Sequence, residues 1–63
     1  MPSSRPLSVL IVEDHAEIRR VLALLLEQFG HRVTTAGTVA EGLAALDGHV
    51  VVGRIWRLHP ALL

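Results

Sequence analysis

Glu13 and Asp14 stand side by side where an aliphatic run, Val9 to Val12, gives way to a helical pattern. Two carboxylates at such a junction offer hard oxygen ligands. The ion that suits them is Mg²⁺, which keeps several waters and takes few protein ligands. The same residues have a plainer use. Asp14-x-x-Glu17 has capping-box-like spacing, and acids in a first helical turn are favoured by the positive end of the helix dipole. The two uses do not exclude each other, and the sequence leaves both open. His15 follows the acids and is placed to tune them, although a lone histidine after a cap is more commonly solvated surface.

Other chemistry has less support. His15, His31, His49 and His59 show no metal-site spacing, and the chain has no cysteine, which removes disulfides and thiolate ligands. The five glycines form no G-x-G-x-x-G, so a dinucleotide site is not indicated. No Ser-His-Asp or Cys-His arrangement can be argued, and no enzymatic activity is expected. Arg54, Trp56, Arg57 and His59 interleave basic and aromatic residues, but a net charge of zero and so short a tract do not make a nucleic-acid surface.

Elements that would position the acids follow from periodicity. Val9 to Val12 fits a strand buried on both faces, as in a parallel sheet. Ile18, Val21, Leu22, Leu25 and Phe29 recur at steps of three and four and mark the apolar face of a first helix. Leu24 and Leu26 widen that stripe, Arg19 and Arg20 fall on its exposed flank, and Gly30 suits the helix end. His31 to Ala36, rich in Thr and Val, fits an edge strand. Thr38 and Glu41 make a T-x-x-E capping box before a second helix with Val39, Leu43 and Leu46 on its apolar face. Gly42 weakens that helix by roughly 1 kcal/mol relative to Ala. Asp47-Gly48 is a turn signal, and Val50 to Val52 supplies a third strand. The β-α-β-α-β order predicts an α/β fold with a parallel sheet built from right-handed crossovers.

Sixty-three residues make one small domain whose core is modest. The opening MPSSRP reads as a disordered tail, residues 1–6, and lacks the apolar core of a signal peptide. No run is long enough to span a membrane. These features and the lack of cysteine lean toward a cytoplasmic protein.

LSVLIVEDHAEIRRVLALLLEQFGHRVTTAGTVAEGLAAL, residues 7–46, resembles the first part of a receiver domain of two-component response regulators. The likeness lies in the ordered set: a strand ending in VEDH, a helix with its Arg pair, the Gly-His turn, and the A-G-T-x-x-E-G-L helix. It implies a partial flavodoxin-like, doubly wound sheet, the fragment 2-1-3 of the family order 2-1-3-4-5. It further implies that Glu13 and Asp14 match the acids that hold Mg²⁺, Asp14 being the favoured contact of the two. In the family that ion sits beside an Asp ending the third strand, which takes a phosphoryl group from a sensor histidine kinase, and catalysis is positioning and charge neutralisation.

The acceptor Asp would fall near Arg54 to Arg57, and no Asp or Glu follows Asp47. A guanidinium cannot accept a phosphoryl group and would repel a divalent cation. The chain has no Lys either, so the family's signalling lysine is missing. The expectation is a truncated receiver-like domain over residues 7–53, with an atypical tail at 54–63. It would belong to a phosphorelay yet not be phosphorylatable alone, and any Mg²⁺ binding by two carboxylates would be weak. The alternatives are a phosphorylation-independent interaction module and the non-functional product of a frameshifted receiver gene. An exposed third strand would favour self-association. No nucleic-acid or membrane partner is expected.

Overall fold

β1 (Ser8–Val12) is the centre of a three-stranded parallel sheet in a computed structural model that describes residues 6–57. It is followed by α1 (Ala16–Gln28), β2 (Arg32–Ala36), α2 (Val39–Ala44), β3 (Val50–Val52) and a single helical turn, α3 (Arg54–Arg57). The strand order is β2-β1-β3: the α/β architecture is that expected from the alternation of periods, and the 2-1-3 order is the one the receiver resemblance implies. Most of the expected tail at 1–6, and the end of the chain from 58 onward, lie outside the described residues. Arg54 to Arg57, at the start of the expected C-terminal tail, form α3.

Register explains the core. Leu10 pairs with Thr34 on one side and Val51 on the other, and Val12 pairs with Ala36. Alternation along the strand sends Leu10 and Val12 to one face and Val9 and Ile11 to the other. On the first face Leu10, Val12 and Ala36 are buried, with Ala45, Leu46, Val51 and Ile55 packed on them. Gly42 of α2 is buried here, and a Cβ on it would come within 2.8 Å of Val12 Cγ2. The glycine that costs helix propensity is therefore the residue that lets α2 sit on β1.

The second face is covered by α1, which leans toward β2. Its docking differs from the expected stripe. Arg19, Leu22, Ala23 and Leu26 are half-buried, whereas Ile18, Val21, Leu24, Leu25 and Phe29 are exposed, Phe29 to 70%. Val21 to Leu26 is an unbroken apolar run, so almost any rotation of α1 buries something, and periodicity alone does not select the contact side. In the rotation seen, the small Ala23 is among the half-buried residues. Beyond α1, Val50 and Val52 of β3 are also exposed on this face.

Helix ends follow local rules. α1 stops in a Schellman arrangement: the His31 amide donates to the Leu26 carbonyl (3.2 Å) and the Gly30 amide to Glu27 (2.9 Å), with Gly30 at φ +89°. Thr38 caps α2, its Oγ1 accepting from the Glu41 amide at 3.1 Å. Glu41 completes the motif one residue early, accepting from the Gly37 amide at 2.7 Å rather than from Thr38.

Candidate functional site

The carboxyl end of β1 brings together three chain segments: Glu13-Asp14-His15, the start of β2's exit loop, and Gly53-Arg54 after β3. The Glu13 amide continues the sheet by donating to the Ala36 carbonyl at 3.0 Å. Its side chain is then carried inward, and Glu13 is only 1% exposed. A carboxylate so buried needs donors on all sides. The His15 amide donates to Oε2 at 3.1 Å, the Arg54 amide to Oε1 at 3.3 Å, and Arg54 Nη2 to Oε2 at 2.8 Å.

Asp14 points the other way, toward solvent, but reaches the same partner. Its Oδ1 accepts from Arg54 Nη2 at 2.6 Å, and the Asp14 side chain is 62% exposed. One guanidinium nitrogen thus bridges a buried carboxylate and an exposed one. The bond to Arg54 holds the Asp14 carboxyl below the ordinary carboxylate range, and the same bond pushes the Arg54 guanidinium up.

Gly53 makes this possible. It sits at φ +138°, and a Cβ there would stand 2.2 Å from the Val12 carbonyl oxygen. Only a residue without a side chain can let the chain leaving β3 run so close to the end of β1. That approach places the Arg54 backbone and side chain over Glu13.

Asp14 does not cap α1, contrary to the expected Asp14-x-x-Glu17 spacing. His15 is the N-cap, its Nδ1 accepting from the Ile18 amide at 3.4 Å. The physical reason is competition: Asp14 is drawn to the guanidinium, and the chain enters helical geometry one residue later. Arg19 also departs from expectation. Rather than lying on an exposed flank, it is half-buried and donates from Nη1 to the Glu13 carbonyl at 2.9 Å. It thereby pins α1 to the end of β1.

The remaining described histidines serve the scaffold. His31 Nδ1 accepts from the Leu7 amide at 3.0 Å. His49 Nδ1 lies 2.9 Å from the Asp47 carbonyl, which can only accept, and its Nε2 lies 3.3 Å from Thr34 Oγ1. His59 falls outside the described residues. Among the described residues no group of three or more His, Cys, Asp or Glu is arranged to hold a metal, and no helix is long and apolar enough to cross a membrane.

The sequence pointed to Glu13 and Asp14 and set Arg54 to Arg57 in the neighbourhood of the acids, but it did not show that Arg54 bonds both of them or that Gly53 delivers it. A glycine directly after a three-valine strand, followed by Arg, was the available signal. Comparison with protein-family models, with curated proteins and with solved structures finds no match for the chain.

As they stand, the three charged side chains do not suit Mg²⁺. Both carboxylates are paired with one guanidinium, whose positive charge stands where a cation would bind them.

Proposed function

We propose that the chain is a receiver-like module of a two-component phosphorelay that does not accept a phosphoryl group. The supporting observation is the acidic pair at the carboxyl end of the central strand of a 2-1-3 parallel sheet, closed by Arg54 from the end of β3. Ligand sites of open α/β sheets lie at that strand end. Here the group arriving from β3 is a guanidinium, which has no nucleophilic oxygen for a phosphoryl group. On this reading the chain is a cytoplasmic binding partner of a sensor histidine kinase or another phosphorelay protein and catalyses no reaction of its own.

The test is incubation of the purified chain with a small-molecule phosphodonor and Mg²⁺, followed by intact mass measurement. The expected result is no phosphoryl adduct labile to hydroxylamine. Alongside it, the chain is titrated into phosphorylated kinases of its source organism, and competition with an intact receiver for one of them is expected. A stable acyl phosphate on the chain, or failure to compete with any receiver, overturns the proposal.

A second reading, a phosphorylation-independent interaction module, is favoured by the open apolar side of α1. Ile18, Val21 and Leu22, with His15 and Glu17, line a shallow recess of about 380 Å³. Together with the exposed Val50 and Val52 at the β3 edge, they leave apolar surface that association would cover. Self-association is the simplest form, and sedimentation across a concentration series checks it. A monomer at every concentration rules that form out.

A further inference from the structure

We propose that Arg54 is the resident cation of the acidic corner, its guanidinium filling the place between Glu13 and Asp14 so that the corner is indifferent to divalent metal ions. The inference rests on the geometry of the corner and holds whether or not the chain is a phosphorelay module. Three observations carry it.

First, Glu13 is satisfied from within the chain. Its two oxygens take two backbone amides and one charge-assisted bond from Arg54. A metal ion binding there must displace donors that the fold has already positioned, and the carboxylate is 1% exposed, so water cannot replace them.

Second, Arg54 is held at two points. Its amide bonds Glu13 Oε1 while its Nη2 bonds Glu13 Oε2 and Asp14 Oδ1. Rotating the side chain away would leave the amide contact, and with it the residue, still over the corner. The preceding Gly53 permits the close backbone approach that sets both contacts.

Third, the charges balance in a way that removes the demand for an ion. Two adjacent carboxylates attract a cation strongly, and one shared guanidinium supplies it at 2.8 and 2.6 Å. A guanidinium tolerates partial burial better than a strongly hydrated ion, because it is itself weakly hydrated. The same bonds tie the end of edge strand β3 to the end of β1, so Arg54 is also a clasp on the sheet.

The test uses the whole chain, isotope-labelled, titrated with Mn²⁺ and followed by amide line broadening, with Mg²⁺ as the diamagnetic counterpart. The expected result is broadening at Glu13, Asp14 and Arg54 no stronger than at the exposed acids Glu17, Glu27 and Asp47. Saturable broadening confined to residues 13, 14 and 54 overturns the proposal. Arg54→Gln provides the second arm, with Arg20→Gln, at an exposed position of α1, as a charge control. The thermal midpoint of Arg54→Gln is expected to fall by at least about 4 °C, the shift that a small domain shows for a modest loss of stability. An Arg54→Gln chain that melts with the parent also overturns it. If that variant does not fold at all, the loss is the same effect at its extreme, and the Mn²⁺ titration of the parent decides.

Discussion

The two faces of the sheet are built to different standards. On the α2 and α3 face, Leu10, Val12 and Ala36 are buried, and two glycines permit contacts that any side chain would block: Gly42 on Val12 and Gly53 on the Val12 carbonyl. On the α1 face only the central strand is sealed. The helix itself has no buried residue, and β3 shows Val50 and Val52 to solvent. Short elements make the tight side and the longest element makes the loose one. Close backbone approach, not helix length, sets how well a small sheet is covered, because dispersion contacts and exclusion of water both depend on the last ångström.

Five measurements test the contrast between the two faces. The largest effect is expected for Leu10→Ala, which empties the centre of the tight face. It should cost about 2–5 kcal/mol in urea unfolding, enough to unfold much of a domain this small. A cost below about 1 kcal/mol would mean that the face is not packed as described. Next is Gly53→Ala, which forces a Cβ into the Val12 backbone at a φ that L-residues rarely adopt. A loss of about 1–3 kcal/mol is expected, accompanied by amide shifts at Glu13 and Arg54. Preserved stability with unchanged shifts would remove the close approach from the account.

Thr38→Ala deletes the cap of α2 and should cost about 1 kcal/mol, since the Glu41 amide loses its acceptor. Serine at the same position should restore most of it. A smaller effect is expected from acid. Asp14 has its carboxyl lowered by the bond to Arg54, so its charge contributes stability above the ordinary carboxylate pKa. That contribution disappears as pH falls through the depressed value. Parent and Asp14→Asn are therefore expected to differ in urea midpoint near pH 6 and to converge as pH falls through that depressed value. A difference that widens in acid contradicts the pairing. The smallest effect is expected on the open face, where Val21, 61% exposed, can be replaced by Ala with a change within about 0.5 kcal/mol. A cost above about 1.5 kcal/mol that shrinks on dilution would show the face covered by a second copy.

Much of the fold was legible. Three runs of β-branched and aliphatic residues alternating with two helical patterns led to β-α-β-α-β with a parallel sheet, and the pairing is parallel throughout. Gly30 and Thr38 announced helix ends because caps depend on a few neighbouring residues. Less legible was the rotation of α1, since its apolar run from Val21 to Leu26 exceeds what the sheet can take. The site was half legible. Glu13 and Asp14 stood out as adjacent acids after a strand, but the cap fell to His15, and Arg19 turned inward to the Glu13 carbonyl. The first shift follows from Arg54, which lies about forty residues along the chain from the acids; the second follows from the Glu13 carbonyl left at the end of β1.

By itself the sequence determined the alternation of strands and helices, the burial of Val9 to Val12, and the placing of two acids at the end of that strand. These depend on periodicity and on neighbours within a turn or a strand. Only the tertiary structure decided what the acids meet. Parallel pairing of β3 beside β1, and the gap that Gly53 leaves, carry a guanidinium across to Glu13 and Asp14. That partner is fixed by strand register and backbone clearance, which no local pattern encodes.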